Sequence, residues 1–221
     1  MITIKKYAAI DIGSNAMRLL ITNIVEQKGM PTQFNKSSLV RVPIRLGQDA
    51  FTVGEITQEN TDRMIDAMKA FKLLMKVHKV EKYQACATSA MREAYNGKEI
   101  VDLIKKKADI KIDIIDGKKE AAIIAASDLK QFITADKAYL YVDVGGGSTE
   151  FSLFIEGKII ASKSFKNGTV RLLNNMVSEI VWEEMEKWIK KTTEPYNEIH
   201  LIGSGGNINK LFKLSEKNQE K

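Results

Sequence analysis

The sequence predicts an α/β protein of two similar domains, each built on a mixed sheet. Short apolar runs bounded by turn residues alternate with segments of helical spacing. Both halves follow the order strand, strand, strand, helix, strand, helix. Each half also opens on a strand that ends in Asp-x-Gly, at Asp11-Ile12-Gly13 and again at Asp143-Val144-Gly145. An internal duplication is the simplest account of that correspondence.

The first half begins with a buried strand at Tyr7 to Ile12. Gly13-Ser14-Asn15 turns it into a second strand at Met17 to Val25, and Leu39 to Ile44 is a third. Thr57 is placed to cap a helix whose apolar positions Met64, Met68, Phe71 and Met75 recur at helical spacing, as core packing. Val80 to Ala87 is a strand. A helix starts at Ala90, breaks at Asn96-Gly97 and resumes from Ile100 to Lys107. Ile110 to Ile115 is a further strand, and Asp116 caps a helix running to about Ile133.

The second half repeats the plan. Ala138 to Val144 is a strand, Gly145 to Thr149 a turn, and Phe151 to Ile155 a strand that returns through Glu156-Gly157 into Lys158 to Lys163. Helices follow at Val170 to Met176 and Glu179 to Lys190. Ile199 to Ile202 is a strand, Gly203 to Gly206 a turn, and a helix follows from Ile208. The expected domains are 1–128 and 129–221, with the boundary inside Ser127 to Asp136. The second copy then lacks its last strand and helix. A truncated piece is expected, with a naturally short second domain as the alternative.

Composition excludes several classes. A content of 44% hydrophobic and 28% charged residues with three prolines is that of a globular protein, not a disordered one. The net charge of +6 is mildly favourable to an anionic partner. Lys105-Lys106-Lys107 and Lys118-Lys119 read as solvated helix faces or ends, with ligand steering as the alternative. Cys86 is the only cysteine, so no intramolecular disulfide forms, and its apolar neighbours make it a core residue. His78 and His200 are far apart, which argues against a histidine metal site. No apolar run approaches the roughly 18 residues of a membrane span. The start carries Lys5, Lys6 and Asp11 and does not read as a signal peptide, so cytoplasm is the default.

The chemistry concentrates in Asp143-Val144-Gly145-Gly146-Gly147-Ser148-Thr149-Glu150. Three glycines remove every Cβ from the turn, so backbone N–H groups can point at one spot and a bulky anion can approach. Ser148 and Thr149 add hydroxyl donors. Asp143 can hold a metal ion, and Glu150 can do the same or orient water. The plain alternative is a hairpin turn, which needs fewer glycines. Asp11-Ile12-Gly13-Ser14-Asn15 alone is equally an ordinary polar turn; its match to the Asp143 turn strengthens it. Ile202-Gly203-Ser204-Gly205-Gly206-Asn207 opens a helix, where glycines can admit an anion. It is neither a dinucleotide fingerprint nor a P-loop. Arg92, just after a strand, can pair with phosphate in two places or sit at the surface. Glu120, in the first turn of its helix, can take a proton from water or merely complement the helix dipole.

Together these segments resemble the exopolyphosphatase and guanosine pentaphosphate phosphohydrolase (Ppx/GppA) family. Asp11 to Asn15, Ala87 to Ala94, Ile115 to Ala121, Val142 to Phe151 and Gly203 to Gly206 match in order, and Gly168 to Leu172 also looks like a family segment. The resemblance implies two ribonuclease-H-like domains of the actin, sugar kinase and Hsp70 ATPase fold. Their mixed five-stranded sheets would face a cleft, the second domain being truncated.

The same resemblance implies water attack on a terminal phosphoryl group of inorganic polyphosphate or pppGpp, assisted by Mg²⁺ or another divalent cation. Glu120 would be the base, and Asp143 and Glu150 would organise metal and water, with Asp11 as a further metal ligand. Ser14, Asn15, Arg92, the Gly145, Gly146, Gly147, Ser148, Thr149 loop and Gly205-Gly206 would hold phosphates. A homodimer is compatible with the family; nucleic acid and membrane partners are not expected. The family's Gly-x-Glu-Glu-Ala-Arg is here Gly117-Lys118-Lys119-Glu120-Ala121-Ala122. Lys119 and Ala122 therefore keep open a non-catalytic binder of polyphosphate or guanosine phosphate. An ATP-dependent kinase or ATPase of the same superfamily is the remaining alternative.

Overall fold

The computed structural model describes residues 2–126 and 133–215. The chain divides into two compact units, Met1–Ile115 and Asp116–Lys221. The expected boundary at 128/129 lies outside the described residues.

In the first unit, β1 (Ile2–Ile12), β2 (Ala16–Gln27) and β3 (Gln33–Pro43) form an antiparallel meander. β4 (Lys82–Ala87) pairs with β1 in parallel, and β5 (Asp113–Ile114) pairs with β4 in parallel. The sheet order is β3-β2-β1-β4-β5. Alternation sets the buried face: Ala8, Ile10 and Ile12 on β1, with Leu19 and Ile21 on β2. Four helices accompany it: α1 (Leu46–Thr52), α2 (Gln58–Val77), α3 (Ser89–Glu93) and α4 (Gly97–Ala108). Thr57 caps α2 as expected, its side chain accepting from the Asn60 amide. Met64, Met68, Phe71 and Met75 are buried along that helix's inner stripe.

Three details differ from expectation. The strand expected at Ile110 to Ile115 reduces to two paired residues. Ile110 and Ile112 are buried, so the apolar run there packs without joining the sheet. Helix α1 was not anticipated. It is under two turns long, and it starts from Arg45 in the left-handed region (φ 64°) with no side-chain cap. The helix after Asn96 also begins earlier, at Gly97; the Asn96 side chain leaves the helix uncapped and bonds both the amide and the carbonyl of Ile56.

The second unit starts with α5 (Gly117–Ala126), where Asp116 Oδ1 accepts from the Lys119 amide at 2.8 Å. The part of that expected helix beyond Ala126 begins outside the described residues. β6 (Tyr139–Val144), β7 (Thr149–Ile155) and β8 (Lys158–Phe165) form a second antiparallel meander. Glu156 and Gly157 are both left-handed, as a two-residue type I′ hairpin requires. β9 (His200–Ser204) joins β6 in parallel, giving the order β8-β7-β6-β9. α6 (Thr169–Leu173), α7 (Glu179–Thr193) and α8 (Gly206–Leu214) complete the unit. Gly203 and Ser204, expected in a turn, extend β9 instead, and α8 starts at Gly206 rather than Ile208.

Leu140, Phe151, Leu153 and Phe165 form the core on one sheet face, with Met185 and Trp188 of α7 packed on them. Tyr139, Tyr141 and Phe154 form a smaller cluster. An antiparallel three-strand meander whose first strand gains a parallel neighbour is thus present in both units. The second sheet has four strands among the described residues.

Candidate functional site

In the first unit, β1 ends at Ile12, and the Gly13 amide closes the turn onto the Ala16 carbonyl at 3.1 Å. The start of α1 clamps this turn: the Gly47 amide reaches the Ser14 carbonyl at 2.7 Å and the Arg45 amide, at the helix N-cap, reaches the Asn15 carbonyl at 2.9 Å. Ser14 is buried, and its hydroxyl lies 2.9 Å from that of Ser89 at the start of α3. Asn15 is exposed. Asp11 is half-exposed and receives Arg18 Nη1 at 3.5 Å. Arg92 of α3 is half-buried and donates to the Ile115 carbonyl at 2.6 Å. The structure therefore gathers Ser14, Asn15 and the start of α3 at the C-terminal ends of β1 and β4.

In the second unit, the Gly145–Ser148 loop joins β6 to β7, and the Gly145 amide closes it onto the Ser148 carbonyl at 2.9 Å. Helix α6 holds it from behind. The Thr169 amide bonds the Gly145 carbonyl, the Val170 amide the Gly146 carbonyl, and buried Arg171 Nε the Gly147 carbonyl, at 3.0, 2.8 and 2.8 Å. In a trans peptide the next residue's N–H points opposite to the C=O. With three successive carbonyls drawn to α6, the amides of Gly146, Gly147 and Ser148 point the other way, together. Such a row of N–H groups is an anion-binding concavity. Gly168 packs flat on this loop: a Cβ there would lie 2.4 Å from backbone atoms of Gly146 and Gly147.

Asp143 and Glu150 face each other across the β6–β7 pair. Glu150 is buried, and its Oε1 accepts from both Ser148 Oγ and Ser164 Oγ, the latter at 2.9 Å. Asp143 Oδ1 accepts from Ser204 Oγ at 2.8 Å, and Ser204 in turn accepts from the Tyr141 hydroxyl at 2.6 Å. Burial pushes the Tyr141 hydroxyl pKa up, with a smaller push from the Asp143 and Glu150 charges. Gly205 sits against this carboxylate. Its φ is +100°, and a Cβ there would meet the Val144 carbonyl at 2.8 Å and Asp143 Oδ1 at 3.2 Å. It precedes α8, whose first turn it leaves without a side-chain cap.

Glu120 is half-buried in the first turn of α5, with Oε2 shielded from solvent. Helix α5 packs on β8 and β7. Its Gly117 stands over Ser164, the hydroxyl that holds Glu150. Lys119 and Ala122 are both exposed. Ser164 and Tyr141 carry no signal in the sequence, and Ser89 and Ser204 lie in singled-out segments without a role of their own. Single hydroxyls at strand ends carry no spacing signal, and only pairing register brings Ser204 beside Asp143. Arg171 lay in a recognised segment, but its bond to the loop did not show. Among the described residues no group of three or more His, Cys, Asp or Glu side chains closes on one point. No helix among them is long and apolar enough to cross a membrane.

Two α/β units, each an antiparallel meander whose first strand gains a parallel neighbour and whose first hairpin is a glycine turn, define the class of the protein. The family model for Ppx/GppA phosphatases matches residues 20–206. The chain belongs to the Ppx/GppA phosphatase family. It is 31% identical to a bifunctional 3-dehydroquinate synthase/phosphatase of Fusobacterium nucleatum, over 95% of this chain and 34% of the relative. It is 30% identical to a guanosine-5′-triphosphate,3′-diphosphate pyrophosphatase of Photobacterium profundum, over 76% of this chain and 32% of the relative. Among solved structures, an exopolyphosphatase from Cytophaga hutchinsonii superposes with a TM-score of 0.81 at 27% identity, covering 98% of this chain and 73% of that one. The chain thus spans about a third of the length of either sequence relative.

Proposed function

We propose that this chain carries the phosphoryl-handling part of a hydrolase that releases orthophosphate from a phosphoric anhydride, inorganic polyphosphate or pppGpp. The observation that carries this is the row of Gly146, Gly147 and Ser148 amides turned outward by α6, beside the Asp143 and Glu150 carboxylates. Amides fixed before substrate arrives need no rearrangement as charge develops on the phosphoryl oxygens, which is where electrostatic catalysis acts. The names of the relatives, a phosphatase, an exopolyphosphatase and a guanosine pentaphosphate pyrophosphatase, support the same substrate class.

In this mechanism the amides of the glycine loop hold the terminal phosphoryl group, and the Ser14–Asn15 turn and Arg92 of the first unit are further phosphate-binding groups. Glu120 takes the proton of the attacking water as the new P–O bond forms and the anhydride P–O bond breaks. Orthophosphate leaves, and the shortened chain keeps the bridging oxygen. Mg²⁺ commonly uses one or two carboxylates, with phosphate oxygens and water filling its octahedron. Asp143 and Glu150 fit that donor set, Asp11 of the first unit being a separate candidate, and a bound cation would offset phosphate charge.

Glu120→Gln tests the assignment. Orthophosphate release from polyphosphate or pppGpp falls by about 10²–10⁴-fold, the range for a general base, while tripolyphosphate binding persists. Unchanged release removes Glu120 from the chemistry. Lys119, where the family pattern has Glu, favours a second reading, binding without turnover. Tight tripolyphosphate binding with no release from any phosphoanhydride supports that one.

A further inference from the structure

The first unit holds a cavity of about 780 Å³ between the C-terminal turns of α2 and α4. Drug-sized ligands fill cavities of roughly 300–1,000 Å³. Lys69, Lys72, Lys76, Lys106 and Lys107 ring it, against one carboxylate, Asp109. Lys72 pairs with Asp109 and Lys69 with Asp66. Lys76, Lys106 and Lys107 make no ion pair among the described residues. Complementing the helix dipole accounts for lysines in the last turns one at a time. It does not account for a hollow between them, nor for Lys69, two turns from the end of α2.

The interior of the hollow is apolar. Leu73, Met75, Val80, Tyr83 and Ile110 line it. Leu73 is 63% exposed and Tyr83 40% exposed. The Tyr83 hydroxyl accepts from the Lys111 amide at 3.0 Å, which pins the ring. A purely inorganic phosphate chain would set hydrated oxyanions against these apolar atoms. A ligand with both phosphates and a flat apolar ring satisfies both parts, the ring on Tyr83 and the phosphates among the lysines. The cavity is also separate from the first glycine turn. Tyr83 lies near the start of β4 and the Ser14–Ser89 contact at its far end, about five residues of strand or ~17 Å away.

We propose that this cavity is a second ligand site that takes a nucleoside triphosphate, with the base against Tyr83 and Leu73 and the phosphates held by Lys76, Lys106 and Lys107. The test is ATP and GTP binding by calorimetry, with hydrogen exchange to locate each ligand, on the chain and on Lys76→Gln/Lys106→Gln/Lys107→Gln. All three lysines are exposed, so the fold tolerates the change. Expected results are nucleotide-dependent protection of residues 69–80 and 106–111, loss of that protection in the triple variant with at least tenfold weaker binding there, and unchanged orthophosphate release. In Tyr83→Leu, nucleotide binding at this site weakens. Protection confined to the glycine loops, or equal binding in the triple variant, overturns the site. Tripolyphosphate protecting residues 69–80 as well as ATP does overturns the assignment of the base. Because the readout is local to α2 and α4, it stands apart from the outcome for Glu120.

Discussion

Ser204 donates to the Asp143 carboxylate at 2.8 Å across the parallel β6–β9 pair, and the Tyr141 hydroxyl donates to Ser204 in turn. The carboxylate is therefore held by a hydroxyl whose own orientation is fixed, so its remaining oxygen faces a defined direction. Ser204→Ala removes the donor while leaving the strand. Orthophosphate release is expected to fall about tenfold, the value of one good hydrogen bond to a charged group, and the Mg²⁺ concentration for half-maximal release to rise. Thermal unfolding shifts by the equivalent of about 1 kcal/mol. Ser204→Thr keeps a hydroxyl and recovers the activity. Full activity in Ser204→Ala would show that Asp143 needs no positioning.

Gly168 and Gly206 make a matched pair of substitutions. A Cβ on Gly168 would lie 2.4 Å from the Gly146 and Gly147 backbone, whereas one on Gly206 would meet nothing within 4 Å. Gly168→Ala must push the glycine loop off α6 and break the carbonyl bonds that turn its amides outward. A loss of about 2–4 kcal/mol is expected from overpacking a rigid backbone contact, together with loss of tripolyphosphate binding. Gly206→Ala opens α8 with a better helix former and leaves stability unchanged or up to about 1 kcal/mol higher. Urea unfolding of both variants checks the ranking, and equal midpoints would sink it.

The contrast explains what the sequence could and could not disclose. Strand and helix positions followed from periodicity, and the Asp11 and Asp143 turns from residues that have few other uses. The duplication was legible because a three-strand meander with a parallel neighbour leaves the same order of apolar runs twice. What stayed hidden depends on three-dimensional register. Nothing local marks Ser204 as the partner of Asp143, or Ser164 as that of Glu150. Helix α1, under two turns long and with no side-chain cap, gives too short a periodic signal, and the apolar run before β5 reads as strand because Ile110 and Ile112 are buried by packing rather than by pairing. Arg171 was visible as a motif residue, but its donation to the Gly147 carbonyl appears only once α6 is folded back on the loop.

Lys72 and Asp109 tie α2 to the end of α4. The Lys72 ammonium beside it holds the Asp109 carboxyl below its usual pKa, with Lys105 adding a smaller pull. A depressed folded pKa means that the unfolded chain binds the proton first as pH falls. The contribution is therefore present above the ordinary carboxylate range near 4, and it is lost as pH drops through the lower folded value. Both groups are exposed, so the effect is small and salt-sensitive. Asp109 is also left-handed, φ 51°, a conformation asparagine tolerates. Asp109→Asn is thus expected to flatten the acid side of the stability curve below about pH 4 without changing the helix end. An unchanged acid slope, or a carboxyl resonance titrating at the ordinary value, would exclude the pairing in solution.

The hydroxyls of Ser14 and Ser89 form a buried pair at 2.9 Å, joining the first glycine turn to α3. Each single alanine leaves the other hydroxyl buried with its partner gone, at a cost of about 1–3 kcal/mol. The double variant removes both groups together and is expected to cost less than the sum, with a coupling energy of about 1 kcal/mol. The cycle also separates two roles for Ser14. If its hydroxyl serves only to fix the turn, Ser14→Ala/Ser89→Ala recovers tripolyphosphate binding along with stability, and the phosphate is held by backbone amides. If the hydroxyl leaves Ser89 to contact phosphate, the double variant regains stability but not binding. Chemical denaturation and tripolyphosphate calorimetry on the four proteins distinguish these, and additive stability losses with no coupling would show that the pair does not form.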